Sequence, residues 1–90
     1  MLRLRPGYRG LAVSLDGTGR MGRLDPRTGG RLAVLEAARN VASTGAEPLG
    51  LTDCLNFGSP EKGAIAWELV ESIEGMAEAC EALGLSLIHI

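Results

Sequence analysis

Histidine and cysteine, which often carry catalysis or bind transition metals, are scarce in this sequence of 90 residues. His89 is the only histidine, and no serine or cysteine stands beside it as a recognisable nucleophile. Cys54 and Cys80 are the only cysteines, and the 25 residues between them fit no metal-binding spacing. The sequence therefore contains no complete catalytic constellation and no metal cluster, and we expect both thiols to be buried and reduced.

Long apolar runs and an excess of basic charge are also missing. No stretch approaches the roughly 20 apolar residues that span a bilayer, and residues 1–6 lack the apolar core of a signal peptide. The net charge is −2, without a basic stripe. We therefore expect a globular, cytoplasmic chain with neither a membrane nor a nucleic acid as partner, forming one domain or part of one.

Hydrophobic periodicity predicts an α/β fold with the order ββαβα(β). Residues 10–16 alternate like a strand, and 20–24 are predicted to return as the second strand of a hairpin. A third strand is predicted over residues 48–56, and a fourth is predicted to begin with residues 85–90. The sequence Gly17-Thr18-Gly19-Arg20-Met21-Gly22 matches G-x-G-x-x-G, but Asp25-Pro26 leaves no room for the helix that a dinucleotide site requires.

Two helices are predicted from apolar residues that recur at helical spacing. The first runs from Thr28 or Gly29 to about Ser43, and the second over about 64–83, after a capping Ser59 and Pro60. The expected apolar face of the first helix is Leu32, Leu35, Ala38, Val41 and Ala42. That of the second is Ala66, Leu69, Val70, Ile73, Met76, Ala77, Cys80 and Leu83, and its glutamates are expected to face solvent.

Asp53 follows the apolar run of the third strand, just before the second helix. One interpretation is an Asx turn that ends the strand. The other is a ligand-binding carboxylate at the carboxyl end of a strand, where open α/β layers commonly bind ligands. The pattern alone does not decide between them. Asn40, a mildly unfavourable residue for a helix interior, is the second polar residue of interest.

Residues 24–62, LDPRTGGRLAVLEAARNVASTGAEPLGLTDCLNFGSPEK, closely resemble phosphoribosylformylglycinamidine synthase (FGAM synthetase), in its synthetase subunit. The resemblance extends over about residues 8–85 and includes MAEAC at 76–80. It implies a partial N-terminal domain like that of aminoimidazole ribonucleotide synthetase, with the helices on one face of the sheet. Within the duplicated family chain, this segment is similar to the start of the second half.

The resemblance also implies an activity. The family uses ATP and Mg²⁺ to convert formylglycinamide ribonucleotide to the amidine in purine biosynthesis, with ammonia from a glutaminase subunit or domain. It assigns ATP binding to Asp53, with Asn40, Asn56 and Gly58 as possible neighbours of the nucleotide. Sister domains carry a Mg²⁺-binding aspartate at the position of Asn40, and a neutral amide is a weaker Mg²⁺ ligand. No catalytic residue and no metal ligand is therefore expected in this chain.

Residues 86–90 depart from the family pattern, which continues with a glycine-rich turn ending Gly-Asn-Val-Ser. We therefore expect residues 1–90 to form a single incomplete domain with a foreign or truncated tail, and His89 not to be a family residue. Two hypotheses follow: an inactive fragment of the ligase, or a small non-catalytic nucleotide-binding or interaction module. The flanking DNA would distinguish them. In either case, an uncovered apolar side of the sheet predicts self-association.

Overall fold

The computed structural model describes residues 1–17, 19–53, 55, 57 and 61–89. Its elements are, in chain order, β1 (Leu2–Leu4), β2 (Arg9–Leu11), α1 (Gly19–Leu24), α2 (Pro26–Ala42), β3 (Gly50–Asp53), α3 (Gly63–Leu83) and β4 (Ser86–His89). The predicted α/β class is confirmed. Within the described residues, no helix is both long enough and apolar enough to cross a membrane.

The first hairpin lies earlier in the chain than the sequence predicts. β1 and β2 pair antiparallel, with Leu2 opposite Leu11 and Leu4 opposite Arg9. The predicted return strand over residues 20–24 is wrong, because these residues form α1. Tertiary packing explains the helix: α1 lies so close to α2 that a Cβ added to Gly29 would be 2.5 Å from the Cα of Gly22. Only glycine permits this approach.

α2 begins at Pro26, two or three residues before the predicted start. Asp25 is its N-cap, and the Asp25 carboxylate accepts bonds from the backbone N–H of Thr28 at 3.2 Å and from its Oγ1 at 2.8 Å. The Thr28 hydroxyl and N–H lower the pKa of Asp25. Pro26 occupies a first-turn position, where its missing N–H costs nothing. Asp25 and Pro26 thus begin the helix α2, in addition to ending the segment of chain that precedes it.

α3 matches its prediction more closely. Its helix runs over Gly63–Leu83, and Gly84 ends it in the left-handed conformation with φ of 69°. The predicted cap at Ser59 and Pro60 lies outside the described residues. Lys62 occupies the N-cap position and makes no side-chain capping bond.

Glycines, and not the predicted leucine face, carry the contact between α2 and α3. The buried residues of α2 are Pro26, Gly29, Gly30 and Val34, whereas Leu32 and Leu35 are only partly buried. A Cβ on Gly30 would collide with the carbonyl oxygen of Ser72, and one on Gly75 with that of Arg27. These two contacts run in opposite directions along the helices, so α2 and α3 are antiparallel. Backbone-to-backbone packing displaces the larger apolar side chains to the flanks of the contact.

A small core lies beneath this helix pair. Val34, Ala79 and Cys80 are buried, and Leu51, Met76 and Leu85 pack against them. Burial of the Cys80 thiol is confirmed, and Cys54 lies outside the described residues. The predicted apolar face of α3 is only partly buried, since Val70 is 52% exposed and Leu83 is 46% exposed.

The glutamates of α3 are not simply solvated, as the sequence had suggested. Arg27 bonds Glu78 through two guanidinium nitrogens and lies 3.4 Å from Glu71 and 3.3 Å from Glu74. Arg31 donates to Glu78 at 3.0 Å. The hydrogen bonds from Arg27, and then those from Arg31, lower the pKa of Glu78. The two helices are therefore joined by an ion-pair network beside their glycine contact.

β3 and β4 form a parallel pair with α3 as the crossover between them. Gly50 lies opposite Ser86 and Asp53 opposite His89. The predicted third strand is shortened to four residues, and the predicted fourth strand is confirmed. The foreign origin expected for residues 86–90 stays a prediction. The pairing brings the end of β3, where Asp53 lies, next to the end of β4.

Candidate functional site

An open groove of about 1320 Å³ runs along the small-residue side of α2. Residues 10–16 and residues 46–53 line its walls, together with residues of α1 and α3. The residues that α2 contributes to the lining are all glycine, alanine or valine: Gly29, Gly30, Ala33, Val34, Ala37, Ala38 and Val41. The volume of the groove is large enough for a small-molecule ligand.

Asp53 lies in the wall of this groove, at the carboxyl end of β3. It is 6% exposed, which makes it one of two buried polar residues among those described. Its charge also reaches the core: burial, and to a lesser extent the negative charge of Asp53, raises the pKa of the Cys80 thiol. Asp53 therefore lies between the core and the groove, at the carboxyl end of β3.

The surroundings of Asp53 suit a ligand with both polar and apolar parts. Thr52 brings a hydroxyl to the same wall, and Leu51, Leu55 and Phe57 bring apolar side chains. A buried carboxylate can accept hydrogen bonds from an amine or from sugar hydroxyls, and apolar neighbours strengthen such bonds by excluding water. The wall thus combines a buried hydrogen-bond acceptor with apolar surface.

Asn40 is placed differently from Asp53. It is exposed near the end of α2, and it is absent from the described residues that line the groove. Its Nδ2 donates a bond of 2.6 Å to Oδ1 of Asp16, which does line the groove. Asn40 is therefore connected to the groove by its hydrogen bond to Asp16. The sequence did not identify Asp16 as a site residue, because Asp16-Gly17 reads as hairpin turn chemistry.

The other predicted neighbours, Asn56 and Gly58, lie outside the described residues. Among the residues that the structure does describe, no three of His, Cys, Asp and Glu come together as a metal site would require. Mg²⁺ takes about six oxygen ligands, some of them phosphate oxygens or water. The described residues thus place the buried carboxylate of Asp53 in the groove and bring together no metal-binding cluster.

Comparison with known proteins places this chain in a family. The family described as AIR synthase related protein, N-terminal domain, matches residues 1–89. The chain is also similar to phosphoribosylformylglycinamidine synthase subunits PurL. It is 53% identical over 83 residues to that of Moorella thermoacetica, 52% over 80 residues to that of Aquifex aeolicus and 56% over 75 residues to that of Streptomyces avermitilis.

These alignments cover 92%, 89% and 83% of this chain. They cover 11%, 11% and 10% of the three relatives, so the chain spans about a tenth of the length of the curated proteins it matches. The predicted resemblance is confirmed by the identity over most of the chain. With a family match over residues 1–89, the chain belongs to the AIR synthase related proteins, as an N-terminal domain of that family.

Proposed function

We propose that this chain forms one wall of an ATP site in a phosphoribosylformylglycinamidine synthase, at the start of the second half of that ligase. The complete enzyme would act in the cytoplasm and convert formylglycinamide ribonucleotide, ATP and ammonia to formylglycinamidine ribonucleotide in purine biosynthesis. A glutaminase subunit or domain would supply the ammonia. The observation that carries the proposal is the buried carboxylate of Asp53 in the groove wall.

Asp53 would accept hydrogen bonds from the nucleotide, and the apolar groove wall would exclude water around it. ATP would supply the phosphoryl group that activates the substrate amide. Mg²⁺ would be held by the phosphates and by residues of the complete enzyme, since the described residues contain no cluster of ligands for it. This chain's own contribution is therefore to bind and orient the nucleotide.

The test is a substitution at Asp53 in a full-length relative that carries residues 8–85 of this chain in place of its own. Asp53→Asn keeps the shape of the side chain but removes its charge. Losing a charge-assisted hydrogen bond costs about 1.5–3 kcal/mol, so nucleotide affinity measured by calorimetry should fall about tenfold or more.

Glu81→Gln is the matched control, because Glu81 is an exposed carboxylate that is not among the residues lining the groove. It should change the affinity by less than about twofold, as surface charges usually do. Unchanged nucleotide affinity in a folded Asp53→Asn protein would mean that Asp53 ends the strand and does not bind the nucleotide.

The isolated 90-residue chain should have no synthetase activity with ATP, formylglycinamide ribonucleotide and ammonia. It carries one nucleotide contact and no catalytic constellation among its described residues, and it spans about a tenth of the relatives' length. Product formation would be followed by mass spectrometry against a blank without protein. Turnover that Asp53→Ala abolishes would show that the chain is a complete catalyst.

A further inference from the structure

The N-terminal hairpin is exposed along its entire length. All residues from Met1 to Leu11 are exposed, including Leu2 at 64%, Leu4 at 48% and Tyr8 at 95%. A two-stranded hairpin is at best marginally stable in water when nothing covers it. Its apolar side chains would be expected to pack against another surface, and this chain's own helices do not bury them.

The hairpin is also basic. Arg3, Arg5 and Arg9 lie within its 11 residues, which contain no acidic residue. The guanidinium of Arg3 lies 4.9 Å from the centre of the Tyr8 ring, and its Nε donates to the carbonyl of Gly7 at 2.9 Å. The pairing of Leu2 with Leu11 and of Leu4 with Arg9 puts these four side chains on one face of the hairpin, and Arg3 and Tyr8 lie on the other face. The face of Leu2, Leu4, Leu11 and Arg9 is therefore mixed apolar and cationic.

The complementary surface is on α3. Its sequence has five glutamates and no basic residue. Trp67 and Val70 are 58% and 52% exposed, and they fall on the same helical stripe as four of the glutamates, since residues three and four apart are neighbours. We call this stripe the α3 face: Trp67, Val70, Glu71, Glu74, Glu78 and Glu81.

The α3 face keeps an excess of negative charge in the folded chain. Arg27 and Arg31 are the basic residues that pair with it, and they meet three glutamates, Glu71, Glu74 and Glu78. The side chain of Glu74 is still 55% exposed, and Glu81 is exposed as well. The α3 face is therefore mixed apolar and anionic, the counterpart of the hairpin.

We propose that the hairpin of one copy of this chain docks on the α3 face of a second copy. Leu2, Leu4 and Leu11 would cover Trp67 and Val70, while Arg9 meets a glutamate. Side chains on one face of a strand are about 6.6 Å apart, and those one helical turn apart are about 5.4 Å apart, so the two rows match over a few residues. The inference is independent of the nucleotide site.

Two different surfaces meet in this contact, so it is heterologous. Each copy would retain a free hairpin at one end and a free α3 face at the other, and association would continue beyond a dimer. Apolar burial would supply most of the affinity, whereas the charges would set the orientation of the partners and the dependence on salt.

The test is sedimentation of the 90-residue chain at micromolar concentration. Arg9→Glu and, separately, Glu74→Lys should each weaken association about fivefold, as reversing a rim ion pair would. An equimolar mixture of the two variants should associate again, because the reversed charges are complementary once more. Raising the salt from about 0.05 M to about 0.5 M should weaken the parent chain's association, since it screens exposed charges.

Arg20→Glu is the control, because it makes the same change in net charge as Arg9→Glu at an exposed position of α1. It should leave association within about twofold of the parent. Three outcomes would overturn the proposal: a monomeric parent chain, a mixture that stays dissociated, or equal weakening by the control. Binding of the hairpin to an oligonucleotide by a chain that stays monomeric would likewise reject it in favour of a nucleic-acid partner.

Discussion

The side-chain amide of Asn40 donates a hydrogen bond of 2.6 Å to Oδ1 of Asp16, which ties α2 to the segment that forms one wall of the groove. Ser14 Oγ lies 2.6 Å from Oδ2 of Asp16 and 3.2 Å from the carbonyl oxygen of Ala37, so its proton can serve either acceptor. Residues 12–17 belong to no regular element. These polar contacts give that wall a fixed position on α2.

Removal of either partner should therefore loosen the segment. Asp16→Ala and Asn40→Ala should each lower the free energy of unfolding, and the double variant should lose less than the sum of the two. We expect a coupling of about 0.5–1 kcal/mol, at the low end for a charge-assisted bond because both side chains are exposed. Chemical denaturation of the four proteins measures it as a double-mutant cycle.

An exchange of the two side chains is the stricter test. Asp16→Asn/Asn40→Asp can form the bond in the opposite direction and should recover most of the lost stability. Asn40→Ala combined with Glu81→Ala is the control, because Glu81 lies at the other end of the helix pair, and these effects should be additive. A coupling of zero between Asp16 and Asn40 would contradict the assigned bond.

The glycine contact between α2 and α3 predicts a large effect from a single methyl group. In Gly75→Ala the new Cβ would meet the carbonyl oxygen of Arg27, a backbone atom that cannot move aside alone. We expect a loss of about 3 kcal/mol in the free energy of unfolding, as overpacking of a close helix contact produces. Thermal unfolding followed by circular dichroism measures it.

Gly22→Ala is the matched control, since a Cβ at Gly22 in α1 would meet no heavy atom within 4 Å. Alanine has the higher helix propensity, so this variant should gain up to about 1 kcal/mol. Equal effects of the two substitutions would mean that helix propensity, and not close packing, determines the outcome at Gly75.

Acid should weaken the link between the two helices at Glu78. The pKa of Glu78 is lowered in the folded chain by hydrogen bonds from Arg27 and Arg31, so its carboxylate stabilises the fold while it is ionised. That contribution is complete above the ordinary glutamate pKa of about 4.3 and is lost as the pH falls through the lower folded value. Thermal unfolding at a series of pH values from about 6 to 3 would follow it.

Glu78→Gln isolates this contribution from that of Asp25, whose pKa is also lowered. The parent chain should be more stable than Glu78→Gln above about pH 5, and the difference should narrow as the pH falls below the ordinary glutamate pKa of about 4.3. Arg27→Gln/Arg31→Gln should remove the same pH-dependent difference, because it removes the cause of the shift. A constant gap between parent and Glu78→Gln over this range would rule out an ionic contribution.

The sequence predicted the long helices and the position of Asp53, because both depend on local signals. Gly84 and the apolar spacing define α3, and the change from apolar to polar residues marks the end of β3. Prediction from the sequence failed where contacts between residues far apart in the chain determine the structure. α1 is stabilised by α2 through Gly22 and Gly29, and the pairing of Asp16 with Asn40 joins residues 24 positions apart. Neither contact produces a periodic pattern in the sequence from which it could be predicted.

The leucine face predicted for α2 was wrong for a related reason. Counting large apolar side chains assumes that they form the contact, but Gly30 and Gly75 allow the backbones themselves to meet. The same limitation hid the arginine pairs, since Arg27 and Arg31 become partners of Glu78 only after the helices pack antiparallel.

The parallel pairing of β3 with β4 sets an order of events in folding. Gly50 and Ser86 are 36 positions apart, so their pairing costs loop-closure entropy. The hydrogen bonds within the 21 residues of α3 are local and do not carry that cost, and local contacts form faster than distant ones. We therefore expect α3 to form and pack on α2 first, and the sheet, with Asp53 at its end, to assemble last.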